Sequence, residues 1–340
     1  MATPLVVLCF CIGCTSRSIL TRGVVLRVDD DLESYADWPR IAAGSGINTI
    51  GTHVFPKDVL AFMESVKGHA FRDSCRKYGI HIEHQLHAMG ELLPRDLFNE
   101  DSSMFRMDEN GRRQPDFNCC VHSEKALEII AENAATFAKR LPSDNHRYYF
   151  WLDDGGPVCQ CEYCAGLTPS EQALVIENRM IKAIRQVDPE AMLAHLAYYN
   201  TMDAPLQVKP ESGIFLEFAP FYRQWDKPIS DPEARGSGAD PTPHAKYLDD
   251  LAKNLQVFPA ETAMVLEYWL DVSLFSGWKK PARELPWRKD VCKSDVKVYS
   301  SFGIRHITSF AVFMDSTYFS TYPNAHRWLR EYGAILDQAE

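Results

Sequence analysis

The chain has 340 residues, 46% of them hydrophobic and 24% charged, with a formal net charge of −10. That supply of apolar side chains, without a low-complexity tract, is the composition of a globular protein with a sizeable core. The acidic balance argues against nucleic acid as a partner, because binding a phosphate backbone needs concentrated Lys and Arg.

The first residues, through Ile12-Gly13-Cys14, form an apolar run too short to span a bilayer, placed where an export signal would sit. Residues 1–20 are therefore expected to be an export or lipoprotein signal segment, with Cys14 as a lipid-anchor site and an exported, periplasmic or membrane-anchored location. Against this, no Lys or Arg precedes the run, and Cys11 is atypical at its position; the alternative is a buried first segment and a cytoplasmic protein.

From about residue 23, short apolar runs alternate with amphipathic stretches, the order expected of parallel βα units. Strands are predicted at 23–29, 47–54, 80–89, 147–153, 191–199, 213–221, 263–271 and 306–315. Helices are predicted near 34–44, 57–78, 123–141, 169–187, 243–257, 286–302 and 323–338, with a short piece after 200. Thr168-Pro169-Ser170-Glu171 reads as a capping box with Pro at the first helical position. Gly44, Gly79 and Gly303 stand where a left-handed turn would stop a helix. Eight strands, each followed by a helical slot and without a flexible linker, predict one (β/α)8 barrel over 21–340. The loop 224–243 is long enough to cover the active face.

In such a barrel function gathers at the C-terminal strand ends. The most pointed of these is Tyr148-Tyr-Phe-Trp-Leu-Asp153-Asp154-Gly-Gly156, a buried strand that ends on two adjacent carboxylates. Ionised acids are costly beside an apolar core, so a pair held there is usually tied to an ion, a substrate or a hydrogen-bond network. The other ends supply Arg27, His53, His87, Tyr198, Tyr199, Asn200, Glu217, Tyr222, Trp269 and Asp315 as candidate substrate-binding groups, and Glu267 as a third candidate catalytic acid. Carboxylates with Trp and Tyr fit carbohydrate chemistry, in which aromatic faces cover sugar rings and acids protonate the leaving oxygen. No phosphate-binding loop is present. His84, His195 and His306 lie within strands and read as hydrogen-bonded structural histidines.

Cys159-x-Cys161-x-x-Cys164 has spacing suited to tetrahedral zinc if a fourth ligand arrives from Cys119, Cys120 or His122, with Cys120 the chosen partner. Local disulfides or free thiols are the competing readings. No cofactor is expected for catalysis.

The run Trp151-Leu-Asp153-Asp154-Gly-Gly-Pro-Val-Cys159-Gln-Cys161-Glu-Tyr-Cys164, with Asn118-Cys-Cys120-Val-His-Ser123 before it and Glu177-Asn178 and Leu196-Ala-Tyr198 after it, resembles the bacterial family catalogued as domain of unknown function 4838. The family is similar in barrel type to the β-hexosaminidase group of glycoside hydrolases. The resemblance implies a carbohydrate substrate, with Asp154 as general acid and Asp153 orienting a substrate acetamido group. One branch of those enzymes carries Asp-Glu where this chain has Asp-Asp. Three alternatives stand beside this reading: a retaining glycosidase with Glu267 as nucleophile, a non-catalytic sugar-binding barrel, and a metal-dependent enzyme built on His53, His87, Glu217 and Asp315.

Overall fold

The computed structural model describes residues 18–236 and 241–339. The expected signal segment with Cys14 lies outside the described residues, apart from its last three. Among the described residues, eight parallel strands close into a barrel in chain order: β1 Thr21–Arg27, β2 Thr49–His53, β3 His81–His87, β4 Arg147–Trp151, β5 Met192–Ala197, β6 Ile214–Phe218, β7 Met264–Glu267 and β8 His306–Phe310. Closure comes from β1 pairing with β8, Thr21 opposite His306. Each predicted strand is present, shorter at its C-terminal end because the last residues turn into the loops of that face.

The helices are α1 Trp38–Gly44, α2 Pro56–Glu64, α3 Val66–Tyr78, α4 Met89–Leu92, α5 Glu124–Arg140, α6 Pro169–Ile184, α7 His244–Asn254, α8 Val272–Phe275, α9 Lys289–Ser301, α10 Ser316–Thr321 and α11 Ala325–Asp337. The capping box at Thr168 forms as the sequence predicts, Thr168 accepting from the Glu171 amide and Glu171 reaching back. The stretch expected as one helix over 57–78 is two, because Ser65 is extended and its hydroxyl accepts from Gly68 to start α3. Gly79 ends α3 in the left-handed conformation, φ 68°, as predicted; α1 instead runs through Gly44 and makes that turn at Gly46. None of the described helices is long and apolar enough to cross a membrane.

Both faces of the strands are buried, as a parallel barrel wrapped by helices requires. The interior is notably polar. Arg147 donates to the Thr262 carbonyl at 3.0 Å and lies over the Phe215 ring, while Glu83 accepts from Asn145 at 2.7 Å. These groups plug the barrel below its C-terminal mouth, so the functional space is confined to that end.

Candidate active site

The mouth holds a cavity of about 800 Å³, lined at its base by Trp151, Leu266, Tyr268 and Phe310 and at its rim by Tyr198, Tyr199, Tyr222 and Trp278. Three of the rim aromatics present open faces, with Tyr222, Tyr199 and Trp278 respectively 42%, 53% and 60% exposed. Rings left in water at a concave site are available to stack on a ligand.

Both acids after β4 line this cavity. Asp153 is anchored: its Oδ2 pairs with Arg95 and accepts from the Asn118 amide at 2.5 Å, while its own amide donates to the Asn118 side chain at 3.1 Å. Asp154 is exposed at the mouth beside Tyr198. Burial and then the neighbouring Asp154 charge hold the Tyr198 hydroxyl well above its ordinary pKa, so it stays a donor. The turn that presents the acids depends on two glycines. Gly155 sits at φ 59°, and a Cβ on Gly156 would stand 2.5 Å from the Phe117 ring.

His53 and His87 line the same cavity with their rings 5.6 Å apart. Each directs Nδ1 at a backbone carbonyl, Gln85 at 2.7 Å and Leu152 at 3.0 Å. A carbonyl partner places a proton on Nδ1 of each ring. Burial lowers the His53 pKa to about 3, so that ring is neutral. Arg27 also lines the cavity, its charge answered by Asp29 at 2.7 Å and Asp30 at 3.4 Å. Asn200 ties the rim together, donating to the Gly156 carbonyl at 3.1 Å.

Four of the expected positions differ from expectation. Leu266 of β7 and Tyr268 just past its end face the cavity, so Glu267 between them points outward to α9. There its carboxylate accepts from the Tyr299 hydroxyl at 2.5 Å and lies 3.5 Å from Arg223, and it does not reach the cavity. Trp269 also faces the helices, donating to Asp295 at 3.0 Å. Glu217 is inside the barrel but closed off, its Oε2 accepting from the Trp151 indole at 2.7 Å. Burial pushes its pKa up to about 8. Asp315 caps α10 and pairs with Lys280 at 2.8 Å. His53, His87, Glu217 and Asp315 therefore do not converge, and among the described residues the one group of donor atoms gathered tightly enough for a metal is cysteine-based.

That group is Cys120, Cys159, Cys161 and Cys164, all buried, with their sulfurs within 4.8 Å of one another. Cys120 brings its sulfur to the three of the Cys159–Cys164 loop. His84, His195 and His306 are hydrogen-bonded within the structure, to Thr52, to Glu177 and Ser170, and to Thr21.

Among the residues not singled out as site groups, Asp271 lines the cavity, and burial raises its pKa to about 6. Its position just past β7 was visible in the sequence; its orientation was not. Tyr268, Phe310 and Trp278 had no local signal beyond being aromatic near strand ends.

A closed barrel with an aromatic cleft and carboxylates at its C-terminal mouth belongs to the (β/α)8 architecture shared by many glycoside hydrolases. A family model described as Domain of unknown function (DUF4838) matches residues 54–269, and the chain belongs to that family. No curated protein matches it in sequence. Among solved structures it is similar to a glycoside hydrolase family 5 enzyme from Prevotella bryantii bound to a xyloglucan tetradecasaccharide, at 12% identity over 92% of this chain and 96% of that one, TM-score 0.53. It is also similar to a tri-modular family 5 endo-β-1,4-glucanase from Bacillus licheniformis complexed with cellotetraose, at 10% identity over 93% of this chain and 59% of that one, TM-score 0.55. A pneumococcal exo-β-D-N-acetylglucosaminidase with tandem family 20 modules matches at 8% identity over 94% of this chain and 85% of that one, TM-score 0.50. At these identities the likeness is one of fold.

Proposed function

We propose that the chain is a glycoside hydrolase in which Asp154 is the general acid. The observation that carries the reading is the placement of Asp154 at the mouth of a cavity of about 800 Å³ beside Tyr198, with exposed aromatic rings lining the same mouth. A sugar stacked on Tyr199, Tyr222 or Trp278 would present its glycosidic oxygen to this acid, and protonation of that oxygen relieves the charge developing on the leaving group.

Asp153 is the partner that orients a substrate 2-acetamido group. Arg95 and the Asn118 amide occupy its Oδ2, which leaves Oδ1 to accept from the acetamido N–H and align its carbonyl for attack on the anomeric carbon. Neutral His53, its Nδ1 held by the Gln85 carbonyl, offers Nε2 as an acceptor for a sugar hydroxyl, and His87 beside it lines the same space. Glu267 has no part in this chemistry, since its carboxylate lies behind the barrel wall.

A second reading is favoured by Asp271, a cavity-facing carboxyl with raised proton affinity. It would pair with Asp154 in a two-carboxylate mechanism, for which a separation of about 5–5.5 Å favours retention and about 6.5–9.5 Å inversion. All three hydrogen bonds made by its side chain go to Oδ1 from the first turn of α8, which also suits a plain helix cap. Hydrolysis of paired aryl glycosides with and without a 2-acetamido group separates the two. Preference for the acetamido member supports the first reading; equal turnover together with loss on Asp271→Asn supports the second, and no turnover of either removes both.

A further inference from the structure

The cysteine cluster lies beyond the cavity and has no part in the hydrolytic proposal. The geometry points to a structural Zn²⁺ held by Cys120, Cys159, Cys161 and Cys164, which clamps the loop bearing Asp153 and Asp154 to the segment before α5. A tetrahedral ion with Zn–S bonds of about 2.3 Å places its sulfurs about 3.8 Å apart. The sulfur of Cys120 lies 3.8 Å from that of Cys161 and 3.8 Å from that of Cys164. Those separations are far longer than the roughly 2.05 Å of a disulfide. A polynuclear iron–sulfur core would hold its thiolates further apart than the 4.8 Å that encloses this set.

The surroundings supply hydrogen-bond donors to the cluster. Cys159 accepts from the Met107 amide at 3.2 Å and from the Arg113 guanidinium at 3.8 Å, donors that orient a ligand sulfur and stabilise its charge. Gln172 of α6 fixes the loop from behind, accepting from the Cys159 amide at 3.1 Å and donating to the Cys159 and Cys164 carbonyls at 3.0 and 3.2 Å. Amides at Cys164 and Ala165 both turn back to the Cys161 carbonyl at 2.9 Å, which brings Cys161 and Cys164 to one side. The clamp reaches the acids directly in sequence: Cys120 is two residues past Asn118, which holds Asp153 from both sides. An ion bound by the four sulfurs would add folding free energy to this hydrogen-bonded loop.

Metal analysis of the full chain, purified without added metal, is expected to give about one zinc per chain, released by a mercurial thiol reagent and replaceable by cobalt with thiolate-to-cobalt charge-transfer absorption. Hydrogen exchange after zinc removal should rise in residues 107–122 and 153–167 before it rises in β1 or β8. Iron in place of zinc, no metal with four alkylatable thiols, or disulfide-linked peptides among these cysteines would each overturn the site. Zinc loss without a selective rise in those two segments would overturn the clamp. Because these readings need no substrate, they stand or fall independently of glycoside hydrolysis, and Cys161→Ser need not fold for them to decide.

Discussion

The acids that end β4 and the acid that ends β7 differ in what surrounds them. Asp154 is exposed at the mouth of a cavity lined by aromatic rings, and Asp153 beside it has one oxygen outside its hydrogen bonds to Arg95 and Asn118. Glu267 is fully buried, hydrogen-bonded to Tyr299 and paired with Arg223, which in turn contacts Asp295 at 2.5 Å. An acid whose oxygens are already held by its own protein contributes to folding, whereas one at the mouth of an open cleft can exchange protons with a ligand. The difference comes from side-chain parity on a strand, since neighbouring residues point to opposite faces.

The largest expected effect is on hydrolysis. Asp154→Asn should lower turnover of unactivated glycosides by about 10²–10⁴-fold while leaving thermal stability unchanged. A parallel drop in melting temperature would place Asp154 with Glu267 as a structural acid. Glu267→Ala should do the reverse, destabilising the fold by about 3–5 kcal/mol in denaturant titrations because Arg223 loses a buried partner. Added azide should restore no activity. Azide rescue would instead put a reacting nucleophile at that position.

The pH dependence follows from Glu217. Its folded pKa is raised from 4.5 to about 8 by burial, so the stability it contributes is present below 4.5 and is lost as pH rises toward 8. Glu267, raised to about 7 by burial against the pull of Arg223, adds to the same fall. Glu217→Gln keeps an acceptor for Trp151 and should flatten the decline in unfolding midpoint between about pH 5 and pH 8. An unchanged slope would remove Glu217 as its source. The smallest effect is at the rim, where Trp278→Ala should weaken oligosaccharide binding by on the order of 1 kcal/mol, without a stability cost. Trp269→Ala, on the helix-facing side, should cost about 3–5 kcal/mol of stability and leave binding unchanged. If the two tryptophans exchanged these phenotypes, the assignment of cavity and helix faces would be inverted.

Much of the barrel was legible because each strand is a short apolar run bounded by turn residues, and because Thr168-Pro-Ser-Glu171 and Gly79 carry explicit start and stop chemistry. The acidic turn and the four cysteines were legible for a similar reason: their residue types and spacing point to few uses. Parity on β7 was not. Met264-Val-Leu-Glu267 is buried on both faces, so it has no polar alternation to reveal which side faces the barrel axis. The expectation that Glu267 and Trp269 reach the substrate placed them on the wrong side of the barrel wall. Trp278 and Tyr222 belong to loops after β7 and β6, and only the closed barrel brings them to the cavity that Asp154 lines.

The central claim is proton donation by Asp154 into this cavity. Its most direct test is the dependence of kcat/KM on leaving-group pKa, for wild type and Asp154→Asn, along one series of aryl glycosides bearing the preferred sugar. The account predicts a shallow dependence for the wild type and a steep one for the variant, with the two rates converging at the most acidic phenols. Parallel lines, with equal loss at every leaving group, would contradict it.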